Sequence, residues 1–354
     1  MAKEQLLGLT ESQLADWCKE KGMPAFRGKQ IFNWLQQKNV DDFALMTNLP
    51  KNMIEKLNDM AEIALPKIIR EQLSGDGQTA KLLLEFADGV LVEIVIMVYR
   101  REQSKNRRTI CISTQAGCAM GCKFCATGIN GLERNLTAAE IVAQVIMGNI
   151  WCEKQGYDGI SNIVYMGMGE PLANLPNVLQ SIAVINHEKG LNIGQRRITV
   201  STCGLVPQIR LLAEHKLQIG LAVSLHAPSD EIRSRLMPVN QKYSIEELLA
   251  ACDDYTEQTG RRISYEYALL KNVNDSPNQA HLLGRLLRCR LAHVNLIPVN
   301  YVEETGFFPA DSENIKQFSE IVESYNVEAT VREKKGTDID AACGQLRKRV
   351  KEIN

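Results

Sequence analysis

"TICISTQAGCAMGCKFCATG", residues 109–128, runs from a β-branched strand pattern straight into a glycine-bearing loop that holds three cysteines. Cys118, Cys122 and Cys125 are spaced CxxxCxxC. A structural zinc site wants four closed ligands, usually as two separated CxxC pairs, and no second pair exists in this sequence. Iron–sulfur clusters are held by thiolates, and a four-iron cluster with three protein ligands leaves one iron open to a small molecule. Two plainer readings stay beside it: a zinc knuckle completed by a distant Cys or His, and three buried thiols. Packing alone gives three cysteines no reason to cluster in a Gly-rich loop.

Downstream, "SNIVYMG", "RRITVST", "IGLAVSLH", "RISYEYAL" and "AHVNLIP" repeat the strand pattern, with helical periodicity between them, for example over 137–151 and 244–258. Sustained βα alternation needs right-handed crossovers and a parallel sheet. With "TICIST" this makes six units, fewer than the eight of a closed barrel, so a partial barrel and an open doubly wound sheet both fit. Either way function sits at the strand C-termini. There Gly167 to Glu170, Ser201, Ser224 with His226, and Asn300 are expected to converge as a polar rim. In "MGMGEP", Gly167 and Gly169 would let backbone approach a ligand while Glu170 offers a carboxylate. No GK[ST] follows, which argues against a phosphate loop.

Residues 1–60 read as helical, with Leu14, Trp17, Cys18, Ile31, Phe32 and Leu35 at helical spacing, and 67–100 as a hairpin around "ADG". The 354 residues carry 41 Lys and Arg against 42 Asp and Glu, so any polyanion must be held by local patches. Two stand out, "YRREQSKNRR" (99–108) and the stretch 331–351, each about four charges net positive. Ten unevenly spaced cysteines and the lack of a signal or spanning segment predict a cytoplasmic protein with reduced thiols. Cys18, Cys152, Cys203, Cys252 and Cys289 are assigned to packing. Read alone, Glu93 in "LVEIVI" is a solvent-facing residue of an alternating strand, Cys111 a buried strand cysteine, and Cys343 a small core residue near a turn.

CxxxCxxC after the first strand resembles the radical S-adenosylmethionine (SAM) superfamily. Together with "YMGMGEPLAN", "ITVSTCGLVP", "AVSLHAPSDEIRSRLMPVN", "NLIPVN" and "DIDAACGQL", the chain resembles the RlmN family over nearly its whole length. The resemblance implies a partial (βα)6 TIM-like barrel of the radical SAM type with a small N-terminal helical accessory domain. The expected division is an RNA-binding domain at 1–62, a β-hairpin linker at 63–103, the radical SAM core at 104–345 and a basic tail at 346–354. It also implies a [4Fe-4S] cluster on Cys118, Cys122 and Cys125, with SAM held by Gly169, Glu170, Ser201, Ser224, His226 and Asn300. The implied reaction is methylation of adenine carbon 2 in 23S rRNA and tRNA, using two SAM per turnover. In it Cys343 carries the methyl group and joins protein to RNA covalently, Cys111 resolves that adduct, and Glu93 takes the ring proton. Arg332, Lys334 and Lys335 could bias Cys343 toward thiolate. An electron donor such as flavodoxin or ferredoxin, a monomeric state and no membrane partner complete the expectation. The rivals are the related carbon-8 adenine methyltransferase of the antibiotic-resistance type and a noncatalytic metal-containing RNA-binding protein.

Overall fold

Thr10 and Gln13 close a capping box that starts α1 (Glu11–Glu20), whose Leu14, Trp17 and Cys18 turn inward. These pack on Ile31, Phe32 and Leu35 of α2 (Phe26–Gln37). With α3 (Lys51–Met60) and a two-stranded parallel ribbon of β1 (Glu4–Gln5) and β2 (Ala61–Glu62), they form a helical unit. It is seated on the rest of the chain, where a Cβ on Gly8 would lie 2.6 Å from the Ala139 backbone and Gln180 Nε2 donates to Gly8 O at 2.7 Å. The computed structural model describes residues 3–99, 107–129, 131–300, 305–333, 335–341 and 344–346.

The main body is built on one ten-stranded sheet. Its first strands, β3 (Lys67–Leu73), β4 (Thr79–Glu85) and β5 (Leu91–Tyr99), form an antiparallel meander, and β5 pairs antiparallel with β6 (Arg107–Cys111). The expected hairpin is present as β4 and β5, but a third strand precedes it. The meander is part of the sheet because β5 buries both faces, and burial on both faces suits an internal strand.

After β6 come a short ribbon of β7 (Gln115–Gly117) and β8 (Leu132–Asn135), then α4 (Ala138–Lys154). Strand and helix alternate from there. β9 (Asn162–Tyr165), α5 (Leu175–Asn186), β10 (Ile198–Thr202) and α6 (Val206–Glu214) lead to β11 (Gly220–Ser224), α7 (Asp230–Leu236) and α8 (Ile245–Thr259). The chain then continues through β12 (Ile263–Leu269), α9 (Pro277–Leu287), β13 (Ala292–Pro298), α10 (Ser312–Glu323) and β14 (Glu328–Val331). The two helices foreseen at 137–151 and 244–258 begin one residue after Thr137 and Ser244, each the cap of a capping box.

Sheet order decides between the two architectures. The parallel strands lie side by side as β6-β9-β10-β11-β12-β13-β14, in chain order throughout. A doubly wound sheet reverses order about its first strand, whereas a monotonic order is the winding of a barrel. The partial barrel stands, with seven parallel strands rather than six. The seventh, β14, was missed because only Ala329 of "EATV" is buried, so its hydrophobic signal is a single residue. Beyond β14 the chain runs to the opposite edge: Lys335 Nζ donates to Gln78 Oε1 at 3.1 Å, and Gly75 N to Asp338 Oδ2 at 2.8 Å.

Candidate active site

The cysteine loop is fixed by backbone bonds before any side chain is considered. Gly117 has φ of 78° with Gly131 packed against its α-carbon, and Cys118 N donates to Gly131 O at 2.9 Å. Lys123 N donates to Leu236 O at 2.9 Å, and Met120, Cys122 and Phe124 pack against Leu236, Met237 and Val299. The three thiols are close enough that Cys118 and Cys125 both raise the pKa of Cys122, adding to its desolvation. Burial pushes Cys118 up to about 11 and Cys122 further still. Among the described residues no three Cys, His, Asp or Glu converge on a point the size of a single ion. A cluster that takes one thiolate per iron, displacing the thiol protons, fits these three thiols.

Around this loop two of the rim residues, Glu170 and His226, are bonded to the chain's own backbone. Glu170 is buried, its Oε2 accepting from Cys203 N at 2.7 Å and its Oε1 from Leu172 N at 3.0 Å. Burial raises its pKa against those bonds. The carboxylate expected to face a ligand is thus bonded to the chain's own backbone. Gly169, at φ 99°, is required because a Cβ would sit 2.5 Å from Gln115 Cβ, and one on Gly167 would sit 2.7 Å from Ile112 O. The close approach read from "MGMGEP" is the chain's own, since the β9 end lies against the β6–β7 link.

Ser201 follows Thr199, and Ser224 follows Ala222, on the lumen face by the two-residue period, and Asn300 lines the same cavity. His226 is buried at φ 56°, its ring edge on Phe124 at 4.8 Å and its Nδ1 accepting from Ala268 N at 2.9 Å. Burial, aided by the Arg233 charge, pushes its pKa down to about 3, so the ring is neutral and Nε2 carries the proton. Arg233 was not anticipated. Wholly buried, its guanidinium donates to the carbonyls of Cys203, Ser224 and Leu225 and to Asn240 Oδ1, stapling the ends of β10 and β11. The clue was the burial of an Arg on the short α7 within "EIRSRL", where periodicity alone ranks it as surface.

Inside the barrel lies a cavity of about 1210 Å3. Cys111 lines it from β6 beside Val95, its register partner on β5. Glu93 lies two residues earlier on the same face of β5, so it points inward, contrary to the solvent-facing position read from alternation. It is 4% exposed, with Lys81 Nζ at 3.3 Å. The same ammonium donates to Asp340 O at 3.2 Å. Cys343 lies outside the described residues, as do Lys334 and most of 346–354. Its neighbour Gly344 accepts from Ala126 N through its carbonyl at 2.8 Å, and Leu346 O accepts from Thr127 Oγ1 at 2.8 Å. Ala341 and Leu346 line the cavity with Cys111. Lys335 turns away to the Tyr99 ring, 4.5 Å off, while Arg332 sits near Glu266, whose pKa burial raises to about 7 despite Asn295 Nδ2 at 2.8 Å. Of the cysteines assigned to packing, Cys18, Cys152, Cys203 and Cys252 are buried and Cys289 is exposed.

The chain is similar to known proteins over nearly its whole length. Residues 112–282 match the model of the radical SAM superfamily, and residues 4–63 that of the ribosomal RNA large subunit methyltransferase N-terminal domain. A probable dual-specificity RNA methyltransferase RlmN of Clostridium perfringens is 49% identical over 98% of this chain and 97% of its own length. The one from Clostridium novyi is 46% identical over 98% of both. The crystal structure of a radical SAM methyltransferase from Sphaerobacter thermophilus is 45% identical, covers 97% of this chain and 99% of its own, and superposes with a TM-score of 0.92. The three-thiol loop at the mouth of a partial barrel, the helical N-terminal unit and these full-length relatives together make the chain a member of the RlmN family, which uses a [4Fe-4S] cluster and SAM.

Proposed function

We propose that the protein methylates carbon 2 of an adenine in 23S rRNA and in tRNA, and that it does so through Cys343, Cys111 and Glu93. Carbon 2 lies between two ring nitrogens and is electron-poor, so it cannot attack a sulfonium methyl as an amine would. With cluster and SAM bound at the rim, their reductive cleavage chemistry supplies the hydrogen-abstracting radical that such a carbon needs. The chain's own residues do the rest. Cys118, Cys122 and Cys125 would hold the cluster, and Ser201, Ser224, the neutral His226 and Asn300 would orient SAM. Cys343 accepts a methyl group on sulfur, and the carbon of that S-methyl then bonds to the adenine. Glu93 removes the ring proton, and the surplus electron of the adduct would pass back to the cluster that SAM cleavage had oxidised. The Cys111 thiol then attacks the Cys343 sulfur, the C–S bond breaks, the freed carbon takes a proton to become the methyl group, and a disulfide is left behind.

The observation that carries the reading is the seam around Cys343. Gly344 is bonded to the cluster loop at Ala126, Asp340 shares Lys81 with Glu93, and Ala341 and Leu346 line the cavity that Cys111 lines. The flanks of Cys343 are thereby tied to all three parties of the reaction.

Anaerobic turnover with RNA, reductant and methyl-deuterated SAM tests it. Label should appear on Cys343 and on carbon 2 of the product adenine, as read by mass spectrometry. Label on carbon 8 alone would replace this reaction with the sibling one, and absence of label on Cys343 would remove the cysteine route. Cys111→Ala should accumulate a covalent protein–RNA species, which a denaturing gel resolves.

A further inference from the structure

The cavity reaches toward the strand C-termini at Pro298, Asn300, Ala341 and Leu346. It continues down the barrel to the opposite mouth, at the N-terminal ends of the parallel strands, where its lining turns cationic. Arg107 precedes the lumen part of β6, Arg196 and Arg197 stand before β10, and Arg261 and Arg262 before β12. Lys335 joins them from the crossing segment. Arg107 and Lys335 come from the two basic stretches of the sequence and meet on one ring, the guanidinium 4.0 Å and the ammonium 4.5 Å from the centroid of Tyr99. The carboxylates on this side are few: Glu328 takes Arg262, Asp158 takes Arg108, and Glu333 lines the cavity. Nε of Arg107 and of Arg261 are buried donors with no hydrogen-bond partner among the described residues. Cys111 is four residues up β6 from Arg107, and Glu266 four up β12 from Arg262. At about 3.3 Å per residue that is a climb of about 13 Å.

We infer that this arginine mouth, and not the cluster end, is where RNA enters: the phosphates of an unpaired loop are gripped by Arg196, Arg197, Arg261 and Arg107 while one extruded base hangs into the lumen toward Cys111. The inference rests on the RNA-methylating reading above. Cations set around several strands suit a run of phosphates better than a single anion. A stacked base inside a duplex could not reach up the lumen, so the loop must be single-stranded or the base flipped out. None of these side chains reads a base edge, so their contribution is independent of sequence and dependent on salt.

The test is fluorescence anisotropy of a labelled RNA stem-loop with an unpaired adenine, using the cluster-loaded full chain between 50 and 200 mM salt. The double variant R196Q/R197Q should bind roughly tenfold more weakly at low salt and flatten the slope of log affinity against log salt by about two, whatever the loop sequence. K316Q, which removes an exposed charge on α10, should leave binding as it was. If R196Q/R197Q keeps the wild-type melting temperature, affinity and slope, the inference is wrong while methylation by the wild type still upholds the proposed function. Ultraviolet cross-linking of the wild type gives an independent reading: adducts in peptides spanning 195–199 and 260–264 are expected, and adducts confined to other peptides overturn it. A wild-type protein that neither binds nor methylates RNA sinks both.

Discussion

The two ends of the barrel are built on opposite principles. At the cluster end several polar groups are buried and bonded to the chain itself: Glu170 to two backbone amides, Arg233 to three carbonyls and a carboxamide, and Asn274 Nδ2 to the His226 and Ala268 carbonyls. At the other end Arg196 and Arg197 are exposed, and Arg107 and Arg261 each keep a buried donor without a partner among the described residues. The first arrangement holds a small cofactor in one geometry, which requires a satisfied and rigid shell. The second leaves donors free for a flexible polyanion that brings its own acceptors.

The sharpest way to break this contrast is Arg233→Met. Four acceptors would lose their donor in a buried site, and a loss of roughly 3–5 kcal/mol is expected. At about 2–4 °C per kcal/mol this should lower the melting temperature by about 10 °C in calorimetry, with iron content after reconstitution falling alongside.

Glu266, midway up the lumen, sharpens it next. Its carboxyl has an ordinary value of 4.5 and a folded value of about 7, so between those limits the folded chain keeps a proton that the unfolded chain releases. The stability it contributes is complete below pH 4.5 and is lost as pH rises through 7, by roughly 3 kcal/mol in all. Glu266→Gln should remove that fall. The melting-temperature difference between variant and wild type should grow from pH 4 to pH 8, and a flat difference would show that folding does not shift the carboxyl from its ordinary value.

Gly169→Ala should cost less, about 2 kcal/mol, because it adds a methyl into Gln115 at a left-handed backbone position. Urea midpoints read it, and a neutral outcome would mean that the β6–β7 link gives way easily. The smallest effect belongs to R196Q/R197Q, whose stability should stay within about 0.5 kcal/mol of wild type while RNA affinity falls.

The division between what the sequence discloses and what it hides follows the same lines. Strand-helix alternation is periodic and dominated by burial, so the barrel was legible, as were the starts of α4 and α8 to within a residue. The cysteine loop was legible because thiols at that spacing have few uses. Glu93 was misread because two-residue alternation marks opposite faces without saying which one is solvated, and here β4 and β6 flank β5 while Lys81 compensates the charge. Glu170 and the glycines beside it looked like ligand groups because bonds to the chain's own backbone leave no trace in a one-dimensional pattern. The arginine mouth was hidden in pairs, "RR" before "ITVST" and before "ISYEY", that come to the same end of the barrel, with β11 between them, only when the strands are laid side by side.

The segment from Arg332 to Leu346 is synthesised after every strand that it joins, yet it spans from β13, through Arg332 N on Leu296 O, to the turn after β3 and the cysteine loop. During translation the flank between β14 and the meander therefore stays unsealed until the ribosome has passed these last residues.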